Sequence, residues 1–302
     1  MFWKRKSKKQ EGQEATDSAA EVAEDTTEET HEAVESEDKD AKKVEKSDSE
    51  ETEKAAVDVE DENGESKDES SGASGATAFE ADDEDEVEEV GVAGPDSDGI
   101  TRVRTAGTFE FGDEKFEVLN NTWIIEADKD GVIVIDPAHD AEAIMKVIGD
   151  REVYLVACTN GYGPHIGAAL TIAEETEADI ALHPREMRAW RRVHGAEHRP
   201  EIDVEGGGAL DVGDLHIDVL ALPGTSPGTV GYYVSQLGAV FSGDTLLKGS
   251  PGQVGDTYLD YTTQLASIGE NLLTLPPDTR VLPDRGPSTT VEAENKNFDA
   301  WV

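Results

Sequence analysis

The chain has 302 residues, enough for one or two domains, and sets 68 acidic against 26 basic residues for a net charge of −42. Charge of that sign disfavours nucleic acid or anionic lipid as a partner, because a phosphate backbone needs clustered Lys and Arg. A single cysteine, Cys158, excludes an intrachain disulfide and a thiolate metal cluster.

The first ten residues, MFWKRKSKKQ, are basic, but acidic and polar residues follow where a secretory signal would need about 7–15 apolar ones. No apolar run nears the roughly 18 residues of a membrane span, so the expectation is a cytoplasmic protein without one. Residues 1–100 hold 35 acids and 11 bases, and residues 101–302 hold 33 and 15. Large apolar residues are scarce between 11 and 98, and residues 80–90 read EADDEDEVEEV. Such a stretch cannot offset an ordering entropy of about 1–2 kcal/mol per residue. Residues 1–100 therefore read as a disordered acidic tail, a plain solvated one before a spacer, a solubilising bristle or a bait for a basic protein partner. The folded domain is expected over 101–302.

Within it, residues 108–111 and 116–119 predict a hairpin about Gly112-Asp113-Glu114. Residues 122–126 and 132–135 are two more strands joined by a turn over 128–131. A helix over 141–148 precedes a buried strand over 153–158. Then come a helix over 168–177, a strand over 180–182 and a helix over 184–193. Residues 210–222 make two strands about Gly213-Asp214, followed by strands at 230–234 and 239–241. Leu265, Ile268, Leu272 and Leu273 give 261–273 the spacing of an amphipathic helix. A strand at 281–282 and a helix over 291–301 close the series. Strands followed by alternating β and α elements, repeated in two halves, predict an α/β protein with sheets buried between helices.

Several strings fall in a telling order: Asn120-Asn121-Thr122-Trp123, Val134-Ile135-Asp136-Pro137, Ile166-Gly167-Ala168, Pro223-Gly224-Thr225-Ser226-Pro227-Gly228, Phe241-Ser242-Gly243-Asp244-Thr245-Leu246 and Leu282-Pro283-Asp284-Arg285-Gly286-Pro287. With their spacing, the stretch 109–301 resembles the metallo-β-lactamase-fold hydrolases, in particular the glyoxalase-II-like branch. The resemblance implies a four-layer αββα fold. It also implies two zinc ions that activate a shared water against an ester, thioester or amide carbonyl.

The residues at the implied ligand positions depart from that pattern. The first zinc would be held at Asn160, Tyr162 and Thr225, the second at Pro164, His165 and Arg285, with Asp244 bridging. Of these, His165 and Asp244 alone are good zinc ligands, and about three protein ligands are needed. No cofactor is therefore expected. The pocket reads as remodelled, with Arg285 predicted to bridge Asp244 or Asp136 in place of metal and to offer its charge to a small anionic ligand. Asp136 would cap or pin the loop, and Tyr162 would fill the vacated volume or, as the alternative, donate a hydrogen bond to a ligand. His139 is either a substitute ligand or base, or a plain loop histidine. His183, His194, His198 and His216 read as structural or solvated. The expectation is a binding or regulatory module, the alternative a residual (thio)ester hydrolase with one weakly held zinc at His165 and Asp244.

Overall fold

The computed structural model describes residues 89–302. Of the tail expected over residues 1–100, residues 1–88 lie outside the described residues. Among the described residues the first strand, β1 at Gly91–Ala93, already lies upstream of Thr101, where the folded domain was expected to start. The loop that follows is tied down: Asp96 accepts from the Ile100 backbone at 2.9 Å and from Arg280 at 2.5 Å, and Asp98 pairs with Arg280 at 2.8 Å.

One sheet runs β1, β2 (Ile100–Phe111), β3 (Glu114–Glu126), β4 (Gly131–Ile135), β5 (Glu152–Ala157), β6 (Asp179–Leu182) and β7 (Ile202–Asp203) in spatial order. It is antiparallel up to β4 and parallel from there. The two strands expected over 116–119 and 122–126 are one, β3. Asn120 and Asn121 look like a break in the apolar pattern. Both are buried inside the strand, and their amides reach across to Asp284, Pro283 and Gly286.

Helices α1 (Ala141–Ile148), α2 (Gly163–Ile166), α3 (Ala169–Thr176) and α4 (Met187–His194) belong to this half. α1 starts where Asp140 accepts from the Ala143 backbone at 2.9 Å, and ends at Gly149 with φ +64°. α2, a single turn begun by Pro164, was not legible in the sequence.

The second sheet uses β8 (Ala209–Val212), β9 (Leu215–Ala221), β10 (Val230–Val234) and β11 (Ala239–Gly243). A small hairpin of β12 (Leu246–Leu247) and β13 (Ser250–Pro251) stands apart, and β14 (Arg280–Pro283) and β15 (Thr289–Thr290) complete the sheet. Its order is β15-β14-β11-β10-β9-β8. α5 (Tyr261–Ser267) continues as a π-helical turn over Ile268–Leu272, and α6 (Val291–Asn297) lies near the C-terminus.

Burial separates the layers. β4 is buried throughout because both faces are covered. Ile133 and Ile135 point towards Tyr232, Phe241 and Leu282 of the second sheet. Val132 and Val134, one residue out of phase, meet Ile144, Ile148 and Ile172 of α1 and α3. On the far side Val240 and Val281 meet Ile268, Leu272 and Val291. The result is the αββα sandwich expected from the sequence.

Candidate functional site

The site lies where the ends of β4, β5, β9, β11 and β14 run into loops. Asp136, just past β4, takes φ +49°, a left-handed conformation uncommon outside Gly, Asn and Asp. Its carboxylate shows why that conformation holds. It accepts from the Thr159 backbone and hydroxyl, each at 2.7 Å, and from His165 Nδ1 at 2.9 Å. The loop after β5 is thus pinned, and the α2 turn delivers His165 into the interior. Gly243, also left-handed, sits so close to Thr159 that a Cβ there would lie 2.4 Å from its hydroxyl.

His165 is buried with Nε2 3.7 Å from both Asp244 Oδ2 and Asp284 Oδ2. Burial alone would lower its pKa. The charge and hydrogen bond of Asp136, then Asp244, outweigh burial and hold the imidazole well above its usual 6.5. Burial would likewise raise Asp244, but His165, Arg285 and Thr225 bring it below 3.8. Asp284 is raised, chiefly by burial. The centre is one imidazolium among three buried carboxylates.

Asp244 Oδ1 is occupied by hydrogens. Thr225 Oγ1 donates to it at 2.7 Å and Asn160 Nδ2 at 3.0 Å. Asn160 Oδ1 in turn accepts from the Tyr162 backbone. Tyr162 fills volume, with its ring 5.9 Å from Phe109 and 6.0 Å from Phe111. Its hydroxyl donates to the Thr225 carbonyl at 3.2 Å, and burial pushes its pKa up to about 12. Pro164 is buried in the first turn of α2, whose N-cap is Tyr162.

Arg285 grips a different acid from the one expected. Its guanidinium pairs with Asp284 at 2.9 Å and donates to the Gln253 carbonyl at 2.7 Å. Asp244 feels it only through space. The reason is local: Asp284 is the adjacent residue and buried, so it needs a counter-charge. The cation directly beside Asp136 and Asp244 is His165. His139 reaches the cluster only through Asn120, whose Oδ1 lies 2.8 Å from His139 Nε2 and whose Nδ2 donates to Asp284 at 3.1 Å. Burial and the charge of His165 lower its pKa. His183 and His194 make backbone bonds, while His198 and His216 pair with surface acids.

Asn120, Thr159, Asp284 and Glu186 were missed from the sequence. Glu186 is buried and takes three donors: Gly161 N at 3.0 Å, Ser226 Oγ at 2.6 Å and Gly228 N at 2.8 Å. It stitches the His165 loop to the Thr225 loop. Asn120 and Asp284 carried a signal, as members of the first and last landmarks; Thr159 and Glu186 carried none. Above the cluster opens a cavity of about 220 Å³, walled by Phe109, Phe116, Tyr162 and Arg285, with Glu117 and Asp256 also lining it.

The Metallo-beta-lactamase superfamily model matches residues 116–283. The chain belongs to the metallo-β-lactamase superfamily. Among its relatives is the Bacillus subtilis protein named "Probable metallo-hydrolase YqgX", 33% identical over 58% of this chain and 88% of that one. The hydroxyacylglutathione hydrolase GloC of Haemophilus influenzae is 26% identical over 59% and 90%. Among solved structures, TTHA1623 in a di-iron-bound form superposes with TM-score 0.51 at 31% identity, covering 59% of this chain and 93% of that one. Metallo-β-lactamase relatives thus include hydrolases of the glyoxalase-II type. At the positions that the resemblance gives to metal ligands this chain carries the Asn160 amide, the Tyr162 phenol, Pro164, the Thr225 hydroxyl and the Arg285 guanidinium, beside His165 and Asp244. Among the described residues no group of three or more His, Cys, Asp or Glu is arranged to hold a metal ion. No helix of the described residues is long and apolar enough to cross a membrane.

Proposed function

We propose that this chain is a metallo-β-lactamase-fold protein that has given up dinuclear zinc hydrolysis and serves as a binding or regulatory module. The observation that carries this reading is the occupation of Asp244 Oδ1 by the Thr225 hydroxyl and the Asn160 amide. A bridging carboxylate presents lone pairs to metal; here those lone pairs face hydrogens. Asp136 and the other oxygen of Asp244 are balanced by His165 rather than by dications. The ligand is small, in keeping with the cavity, and its anionic group meets Arg285 at the wall beside three aromatic rings. Binding there draws part of the guanidinium away from Asp284, whose raised pKa makes it the readier of the two acids to accept a proton.

The test is metal content of the purified full chain, with hydroxyacyl-thioester hydrolysis measured with and without added zinc. Sub-stoichiometric metal and no turnover are expected. Near-stoichiometric metal, with turnover abolished by His165→Ala, overturns the reading. It would favour a residual hydrolase, for which the approach of His165 Nε2 to within 3.7 Å of Asp244 and Asp284 is the supporting observation.

A further inference from the structure

The cavity above the buried cluster carries more negative than positive charge on its walls. Arg285 lines it, but the guanidinium already donates to Asp284 and to the Gln253 carbonyl. The His165 imidazolium is matched by Asp136 and Asp244. Glu117 and Asp256 line the cavity as well, both exposed, and neither has an ion-pair partner among the described residues. Glu117 accepts from the Thr108 hydroxyl at 3.3 Å, a neutral donor that leaves its charge in place. A simple anion entering to meet Arg285 would face these two acids, and like charges at close range repel. A ligand that brings a positive charge of its own satisfies all three groups.

The rest of the wall is aromatic. Phe109 and Phe116 are partners across β2 and β3, with ring centroids 6.3 Å apart, and Tyr162 meets Phe109 at 5.9 Å. The loop after β13 closes on Phe116. Val254 and Thr257 bridge, so Gly255 and Asp256 form the turn between them. Gly255, at φ +59°, comes so near that a Cβ there would lie 2.8 Å from the Phe116 ring. The same turn delivers the Asp256 carboxylate to the cavity. The electron-rich face of a ring attracts a cation within about 6 Å of its centroid, and rings with acids beside them suit a quaternary ammonium. A primary ammonium would leave N–H groups unpaired against rings that offer no acceptor; a fully methylated one has none to leave.

We propose that the cavity binds a small betaine-type zwitterion: a quaternary ammonium lodged against Phe109, Phe116 and Tyr162 beside Glu117 and Asp256, with its carboxylate on Arg285. Such a ligand rests on the binding role proposed above and refines its anionic partner, since the anion carries its own counter-charge. At about 220 Å³ the cavity is smaller than the roughly 300–1,000 Å³ of drug-sized pockets, so the molecule has only a few carbons. Being neutral overall, it also approaches a chain of net charge −42 without the long-range repulsion that a free anion meets.

The test titrates the full chain, followed by NMR chemical shifts, with glycine betaine and with 3,3-dimethylbutanoate, which has the same shape but carbon in place of the charged nitrogen. Glycine betaine is expected to bind with a Kd of order millimolar, about tenfold more tightly than 3,3-dimethylbutanoate or glycine. Choline, which lacks the carboxylate for Arg285, should bind more weakly than glycine betaine. Glu117→Gln with Asp256→Asn, both at exposed positions, should weaken glycine betaine about tenfold and leave 3,3-dimethylbutanoate as tight or tighter. Phe116→Leu keeps an apolar side chain without a ring face, so it should weaken glycine betaine more than 3,3-dimethylbutanoate. Equal affinity for the two isosteres, glycine or choline binding as tightly as glycine betaine, or no binding of glycine betaine overturns the zwitterion and leaves the binding role standing. Near-stoichiometric metal with thioester turnover in the same sample overturns that role instead, and this ligand with it.

Discussion

Replacing His165 by Gln keeps a polar side chain of similar reach but removes the one cation in direct contact with Asp136. Asp136 would retain only the two Thr159 donors. Asp244 would retain Thr225 and Asn160, and Asp284 would retain Arg285 and Asn120. Removing one partner from a buried ionic cluster costs about 3–5 kcal/mol. The remaining hydrogen bonds to each carboxylate argue for the lower end, about 3 kcal/mol, which for a domain of this size is a fall in Tm of roughly 6–12 °C. The loss must also depend on pH. The folded-state pKa of His165 lies above its ordinary 6.5, so the imidazolium's contribution is complete below about pH 6.5 and fades as pH rises through the folded value. Asp244, whose folded pKa is depressed, contributes fully above its ordinary 3.8 and is lost as pH falls through the lower folded value. Urea unfolding of both proteins from pH 5 to 9 should therefore show the largest gap at pH 5–6 and a narrowing gap in alkali. A variant as stable as the parent at pH 6, or a gap that does not change with pH, would refute the view that His165 is the cation balancing these acids.

Restoring the implied ligands by Asn160→His, Tyr162→His, Pro164→Asp, Thr225→His and Arg285→His should produce a zinc-dependent rise in Tm that the parent chain lacks; calorimetry with and without zinc checks both. Glu186→Gln keeps the shape but removes the charge that receives three donors, and hydrogen bonds to a charged acceptor are worth about 1.5–3 kcal/mol each. Its stability by urea denaturation should drop by about 2–4 kcal/mol, less where the amide oxygen still accepts. Tyr162→Phe loses one bond, to the Thr225 carbonyl, and should cost only about 0.5–1.5 kcal/mol in the same assay. The surplus of acid over base in residues 101–302 predicts a urea midpoint that rises between about 0.1 and 1 M salt as repulsion is screened.

Periodicity and turn chemistry gave the layers and most elements because each helix and strand buries its own apolar stripe. β3 was split because Asn120 and Asn121 look hydrophilic, and only the end of β14, about 160 residues later, shows what they bind. The resemblance assigned Asn160, Tyr162, Pro164, His165, Thr225, Asp244 and Arg285 to one site. It could not say which acid each cation would choose. Arg285 pairs with the residue beside it, and that choice turns on the burial of Asp284, which no string of neighbours encodes. Glu186 lay outside every landmark, since its partners are two backbone amides and a serine from loops distant in sequence.

Glu186 has a mechanical consequence. Gly161 sits in one loop of the site, Ser226 and Gly228 in another, and the carboxylate belongs to neither. Two segments clamped by a single rigid third cannot shift independently. A molecule that pushes on the loop after β5 also moves the loop after β9, or moves nothing. An observer watching either loop would register arrivals at both, and softening this one acid should make the two loops report separately.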